Sequence, residues 1–406
     1  MKIIFLGSSV TYGSAAGGVS FADILCEKNG YEMIKEAVSG TTLVDDDDQS
    51  YVSRLKRIEA DSADLFICQL STNDASQNKP LGVMAESKDI NSFDVKTIAG
   101  AIEYIIAYVT EKWNCPIAFY TGTKYDSKAY AGMVSLLKEI TSKWNIRIIN
   151  LWDEPAFNSV SEEDYKKYMS DPIHPTLEGY REWWTPFIEK KVKEMLIRRI
   201  DMSTYERKAH FDYFRSLQYP YVGVTVNQDV TDIYRFCKKN NCSFYLTFLH
   251  VAALAADRVP QFRQRISGDG IIEYPECPTS HIEQTKGDGY CYCTLHHHMS
   301  FPEYYEAAKA ARNTCAENGI TESEDVESMY FISTLPGIHY TSLIQPVAGG
   351  DESNPRITWG KFEETESGRI IMPVSVLVHH ALVDGIHIAQ FFSNLEEMLQ
   401  IGEHIR

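Results

Sequence analysis

Residues 1–13 read MKIIFLGSSVTYG, a short apolar run, then a glycine and two serines, then an abrupt loss of hydrophobicity. A run this short, closed by small residues, reads as a buried strand ending in a turn. The pattern recurs in EMIKEAVSG (32–40), LFICQLS (65–71), PIAFYTG (116–122) and IRIINLW (146–152). Between these runs lie helical patterns such as DVKTIAGAIEYIIAYVTEKW (94–113) and KAYAGMVSLLKEITSKW (128–144). Such alternation predicts a parallel sheet covered on both faces, whose sites form beyond the carboxyl ends of the strands. GSSVT follows the first expected strand and STND (71–74) the third, so both fall at that edge.

After the helical stretch TLEGYREWWTPFIEKKVKEMLIRR (176–199) the rhythm changes. Longer β stretches, a helix around FYLTFLHVAALAADRV, a hairpin turn at Ser267–Gly270 and a helix beginning after Asp384 predict an α+β arrangement. With 406 residues, two domains are expected, 1–200 and 201–406.

The 39 basic against 56 acidic residues give a formal charge of -17, which argues against nucleic acid or an anionic membrane as the main partner. No apolar run is long enough to cross a bilayer, and KIIFL is too short for a secretory signal core. The nine cysteines are odd in number and contain no C-x-x-C, so they read as reduced thiols of a cytoplasmic protein. The stretch CYCTLHHH (291–298) invites a zinc reading, which strand alternation disfavours by scattering its ligands over two faces. The acidic run Asp45–Asp48 lacks calcium-loop spacing and reads as a solvated loop. No metal is expected.

Ser9 sits where a turn exposes a hydroxyl above an α/β sheet. In DPIHP, Asp171 and His174 stand three residues apart just before a helix. A serine nucleophile needs an imidazole base, and the base needs a carboxylate to hold its tautomer. Gly40 in VSGTT and Asn73 in STND supply candidate donors, backbone and side-chain respectively, for a developing oxyanion. Ser9, Gly40, Asn73 and His174, in that order, resemble the SGNH hydrolases, or GDSL-like esterases, over nearly all of residues 1–200. The resemblance implies a flavodoxin-like sandwich with Ser9 as nucleophile, His174 as base, Asp171 as its orienter, and Gly40 and Asn73 in the oxyanion hole. Two positions depart from the family pattern: Ser8 replaces the usual Asp before the nucleophile, and Ser71 the usual Gly opening the third block.

Near the other end, VSVLVHHALVDGIHIAQFF (374–392) carries paired histidines at the close of an apparent strand. Alternation puts Val374, Val376, Val378 and His380 on one face and Ser375, Leu377 and His379 on the other. The two histidines therefore serve different purposes, and His380, about to enter a loop, is the better placed for a substrate. HHALVDG, with YERKAHFDYF (205–214), FYLTFLHVAALAADRVPQFRQRI (244–266), LPGIHYTSL (335–343) and TWGKF (358–362), resembles the chloramphenicol acetyltransferases from about residue 201 onward. That resemblance implies direct acetyl transfer from acetyl-coenzyme A: His380 as base toward an acceptor hydroxyl, Ser342 on the oxyanion, and Asp384 paired structurally with Arg207. It also implies a homotrimer with active sites between subunits. Gly337 stands where the family has Trp, so chloramphenicol as acceptor does not follow.

Together the two resemblances imply a bifunctional enzyme: an O-acyl esterase fused to an acetyltransferase, both acting on small molecules, carbohydrate being the family tendency for the ester. Two rival readings make one half non-catalytic, either the carboxyl-terminal half as a trimerisation or ligand-binding module, or the amino-terminal half as a carbohydrate-binding module.

Overall fold

The computed structural model describes residues 1–284, 289–318 and 326–400. The chain divides into two compact units, Met1–Met195 and Leu196–Arg406.

In the first unit, β1 (Lys2–Gly7), β2 (Glu32–Ala37), β3 (Leu65–Gln69), β4 (Ile117–Tyr120) and β5 (Arg147–Ile149) form a parallel sheet in the order β2-β1-β3-β4-β5. All five apolar runs read from the sequence are strands of this sheet. β1 and β3 are buried along most of their length because helices cover them, which is why they read as continuous apolar runs. The helices Ile98–Lys112 and Lys128–Lys143 begin at the capping side chains of Thr97 and Ser127 and pack Ile102, Ile105, Leu137 and Ile140 into the same core. The order places β1 between β2 and β3, so the loops after these three strands lie side by side at one edge. Asp45 and Asp46 of the acidic run are taken up locally, by the hydroxyls of Ser50 and Ser53 and by Lys79.

The second unit is α+β. In chain order its strands are β6 (Arg198–Arg199), β7 (Tyr221–Asp229), β8 (Gln264–Ser267), β9 (Gly270–Glu273), β10 (Thr279–Gln284), β11 (Tyr290–Leu295), β12 (Tyr330–Leu335), β13 (Arg356–Gly360), β14 (Glu363–Glu364) and β15 (Ile370–His379). Seven of them make a mixed sheet in the order β11-β10-β12-β13-β15-β14, with β7 also paired to β15. β6, β9 and β8 make a small second sheet. The expected turn at Ser267–Gly270 is the two-residue connection of the β8–β9 hairpin. Gly268 there has φ +56°, a left-handed value suited to glycine. The apolar helix Phe244–Asp257 lies in the core, with Leu246, Phe248, Leu249, Val251 and Ala252 buried. Among the described residues no helix is long and apolar enough to cross a membrane.

One expectation about cysteine needs correction. Cys291 and Cys315 form a disulfide, their Cα atoms 6.2 Å apart, while the other seven cysteines are free thiols. Counting parity and C-x-x-C motifs misses this pair because β11 and the helix Phe301–Asn318 meet only in the folded unit. Alternation itself holds: Cys291, Cys293 and Leu295 all face inward on β11, two residues apart, while Tyr290 and Tyr292 face solvent. The cysteines thus share one face, but His297 and His298 turn away from them toward Asp257.

Candidate active sites

Beyond β1 the chain turns at Ser8 into the short helix Ser9–Tyr12, which places Ser9 at the sheet edge. Space there is so tight that a Cβ on Gly7 would fall 1.7 Å from Thr11 Oγ1, so only glycine fits. Gln69, at the end of β3, holds this turn. Its buried side-chain oxygen accepts from the backbone N–H of Ser8 (2.9 Å) and Thr11 (3.2 Å) and from the Thr11 hydroxyl (2.8 Å). The Tyr180 hydroxyl donates to the Val10 carbonyl (2.7 Å).

His174 arrives from the far side of the unit on a loop pinched by a bridge between Met169 and Pro175. Its Nε2 lies 2.8 Å from Ser9 Oγ, and its Nδ1 lies 2.7 Å from Asp171 Oδ2. Asp171 Oδ1 accepts the backbone N–H of Ile173 (2.8 Å) and of His174 (2.9 Å), which fixes the carboxylate against the ring. Burial pushes the Asp171 pKa up, but the His174 imidazole and these two N–H groups outweigh it and hold the carboxyl below its usual value. With an ionised Asp171 accepting from Nδ1–H, Nε2 carries the lone pair and faces the Ser9 hydroxyl.

Gly40 and Asn73 follow β2 and β3, the two neighbours of β1. Gly40 has φ +82°, a left-handed conformation suited to glycine. Asn73 lies in the helix Thr72–Ser76, and its side-chain N–H donates to the Thr41 carbonyl at 2.9 Å. Ser71, the departure from the family glycine, caps that helix by accepting from the Asn73 N–H. Asp74, fully buried, accepts the N–H groups of Leu43 and Val44 and so ties the loop after β2 to this helix; burial raises its pKa.

Arg54 joins the same loops from beneath. Only 1% exposed, it donates through Nη2 to the Gly7 carbonyl (2.8 Å) and the Thr41 hydroxyl (3.0 Å), through Nη1 to the Glu36 carbonyl (2.9 Å), and through Nε to the Gln49 carbonyl (2.8 Å). Sequence reasoning missed both Gln69 and Arg54. Their one advance signal is a polar or charged residue inside an otherwise apolar pattern.

In the second unit His379 ends β15 and is buried; His380 is the first residue beyond it and is half-buried. Both nitrogens of His379 are engaged: Nε2–H donates to the Gly350 carbonyl (2.7 Å) and Nδ1 accepts from the Ala381 N–H (3.2 Å). His379 is therefore a neutral structural group. The His380 ring stacks on Phe214, centroids 3.8 Å apart and planes 10° apart. Its backbone is fixed at both ends, N–H to the Pro220 carbonyl (2.7 Å) and carbonyl to His210 Nε2 (2.8 Å).

Arg207 donates to the Leu382 carbonyl (2.8 Å) and faces Asp384 at 3.6 Å, an ion pair longer than a hydrogen bond. The Asp384 side chain is 45% exposed and caps the helix Gly385–Leu399 by accepting from the Gly385 N–H. The expected Arg207–Asp384 pair is thus present but loose and part-exposed, since the segment turns this helix start toward solvent. Ser342 is exposed, in a segment positioned by the Tyr340 hydroxyl, which donates to the Thr358 carbonyl (2.9 Å). Among the described residues, no hydrogen bond or ring contact joins Ser342 to His380.

The family model for chloramphenicol acetyltransferase matches residues 195–396, and that for the GDSL-like lipase/acylhydrolase family matches residues 5–182. A chloramphenicol acetyltransferase of Klebsiella sp is 28% identical over 203 residues, covering 49% of this chain and 91% of that protein. The Proteus mirabilis enzyme of the same name is 26% identical over 216 residues, covering 52% and 98%. Among solved structures, a chloramphenicol acetyltransferase aligns at TM-score 0.47 and 26% identity over 50% of this chain and 100% of that one. A structure described as a GDSL-like lipase from Bacteroides ovatus aligns at TM-score 0.36 and 18% identity over 48% and 98%. The chain therefore joins a GDSL-like hydrolase-family domain to a chloramphenicol acetyltransferase-like domain, both of them enzyme families.

Proposed function

We propose that the protein is a bifunctional acyl-ester enzyme, hydrolysing O-acyl esters at Ser9 and transferring acetyl from acetyl-coenzyme A at His380. The observation that carries the hydrolase reading is the hydrogen-bonded chain Ser9–His174–Asp171. As Ser9 Oγ attacks an ester carbonyl, its proton passes to His174 Nε2, Asp171 steadies the resulting imidazolium, and the same proton is returned to the leaving alcohol. The backbone N–H of Gly40 and the side-chain amide of Asn73 are the donors for the oxyanion. Water then repeats the sequence and releases the acid.

For the transferase, His380 takes the proton of a small hydroxylated acceptor, whose oxygen attacks the thioester carbonyl directly. Ser342 stabilises the oxyanion from a neighbouring subunit of a trimer. That arrangement is consistent with Ser342 being exposed and, among the described residues, making no hydrogen bond to His380 of its own chain. The Arg207–Asp384 pair supports the loop after His380. No part of either reaction uses a metal.

The test measures both activities on one preparation: hydrolysis of an aryl acetate, and thiol release from acetyl-coenzyme A across a panel of sugars, phenicols and amino alcohols. Ser9→Ala is expected to abolish the first by at least about a thousandfold and leave the second unchanged. Equal loss of both in a folded variant contradicts two separate sites.

A further inference from the structure

Outside both sites, three side chains from separate parts of the second unit converge. Asp257 is the last residue of the helix Phe244–Asp257, while His297 and His298 lie in the connection between β11 and the helix Phe301–Asn318. His297 Nε2 is 2.7 Å and His298 Nε2 2.5 Å from the same atom, Asp257 Oδ2, and the three donor atoms all lie within 4.8 Å of one another. Glu276 Oε2 stands 4.0 Å from His298 Nε2. The carboxylate is held from behind by the Tyr330 hydroxyl, which donates to Oδ1 (2.7 Å), and the helix end by Arg263 Nε, which donates to the Asp257 backbone carbonyl (3.0 Å). Outer hydrogen bonds of this kind orient a ligating carboxylate and leave its second oxygen for an ion. Asp257 and His297 are buried, whereas His298 is 34% exposed and gives access from solvent.

Two imidazole nitrogens and one or two carboxylates make a donor set suited to zinc and neighbouring transition metals, not to calcium or magnesium, which take oxygen ligands. Ligand atoms at about 2.0–2.1 Å from a tetrahedral zinc stand about 3.3 Å from one another. The imidazoles are therefore less than about 1 Å too close to Oδ2, and a small outward movement, with each Nε2 proton given up to solvent or exchanged for one on Nδ1, would replace two N–H···O bonds by two N–metal bonds. We propose that Asp257, His297 and His298, with Glu276 as fourth ligand, form a binding site for one zinc-type divalent ion. The ion joins the end of the Phe244–Asp257 helix to the β11–Phe301 connection. A site filled by four protein ligands has no open position for a substrate, so its role is structural.

The test uses the full chain without an affinity tag, stripped by a chelator and titrated with zinc against a chromophoric competitor. One equivalent per chain is expected, with affinity reduced at least about tenfold in His298→Gln and in Asp257→Asn. Cobalt(II) in place of zinc is expected to give the visible absorption of a four-coordinate ion in the wild type and not in His298→Gln. If Asp257→Asn fails to fold, His298→Gln, at a partly exposed position, still decides. Absence of binding to the wild type, or equal binding by His298→Gln, overturns the proposal and leaves a hydrogen-bonded cluster.

Discussion

Replacing Arg54 by methionine removes a guanidinium while keeping most of the volume of its stem. The carbonyls of Gly7, Glu36 and Gln49 each lose a buried donor. An acceptor left without its partner costs about 1–3 kcal/mol; the Gly7 carbonyl keeps the Val38 N–H (3.3 Å), so the cost falls on Glu36 and Gln49 and comes to about 2–3 kcal/mol. The Glu36 carboxylate, 36% exposed, stays in contact with water, so the larger penalty of stranding a buried charge does not apply. Five of the six tryptophans (Trp113, Trp144, Trp152, Trp183 and Trp184) lie in the first unit, so intrinsic fluorescence reports mainly its unfolding. With a urea slope of about 2–3 kcal/mol per molar, the midpoint is expected to fall by about 1 M. Because Arg54 joins the turn before Ser9 to Thr41, ester hydrolysis is expected to weaken below the unfolding range as well, while acetyl transfer stays unchanged. A midpoint shift under about 0.3 M with a full hydrolysis rate would refute the reasoning.

Burial pushes the His379 pKa below its ordinary value, against the pull of the Gly350 carbonyl and Asp351. The unfolded chain therefore takes up a proton below pH 6.5 that the native state refuses, and stability falls on acidification from there down to the folded pKa. The slope is at most about 1.4 kcal/mol per pH unit. Urea-dependent hydrogen exchange of the β15 peptide at several pH values is expected to show this slope, and a His379→Gln variant with the same slope as the wild type would assign it elsewhere. For the shared transferase site, His380→Ala and Ser342→Ala chains unfolded together and reassembled in equal amounts are expected to recover about one quarter of wild-type activity per site, since each interface draws its two sides independently. Mixed trimers, verified by mass, that remain inactive would place the whole site in one subunit.

The strands and the Ser9, Asp171 and His174 positions were legible because their signals are local: a buried parallel strand is a continuous apolar run, and the carboxylate and imidazole are three residues apart. What stayed hidden depends on contacts between distant segments. Nothing in the neighbourhood of Arg54 announces that its guanidinium reaches Gly7 and Thr41, since the meeting is made by sheet order. Gln69 looks like any polar residue closing a strand until β1 lies beside it. The Cys291–Cys315 bond depends on packing of a helix on a strand, and the Asp257 cluster on a chain reversal some 40 residues long. For Asp384 the motif points to its ion-pair partner and says nothing of its exposure.

The order of the first sheet has a consequence for synthesis. β1 emerges first yet occupies an interior position, and its neighbour β3 starts at Leu65. Ser9 meets His174 across 165 residues of chain. A growing polypeptide can therefore form helices and parts of the sheet long before the proposed hydrolase site is complete, because His174 is among the last parts of its unit to appear. β15 repeats the delay in the second unit, where Ile370–His379 inserts between β7 and β13 and aligns with residues made about 150 positions earlier. Both units close by long-range pairing, a topology that slows folding and leaves β7 without its β15 partner until then. The two proposed activities would thus be stringent reports of completed folding, each expected to be lost by a truncation before His174 or before His380 even where most of the secondary structure survives.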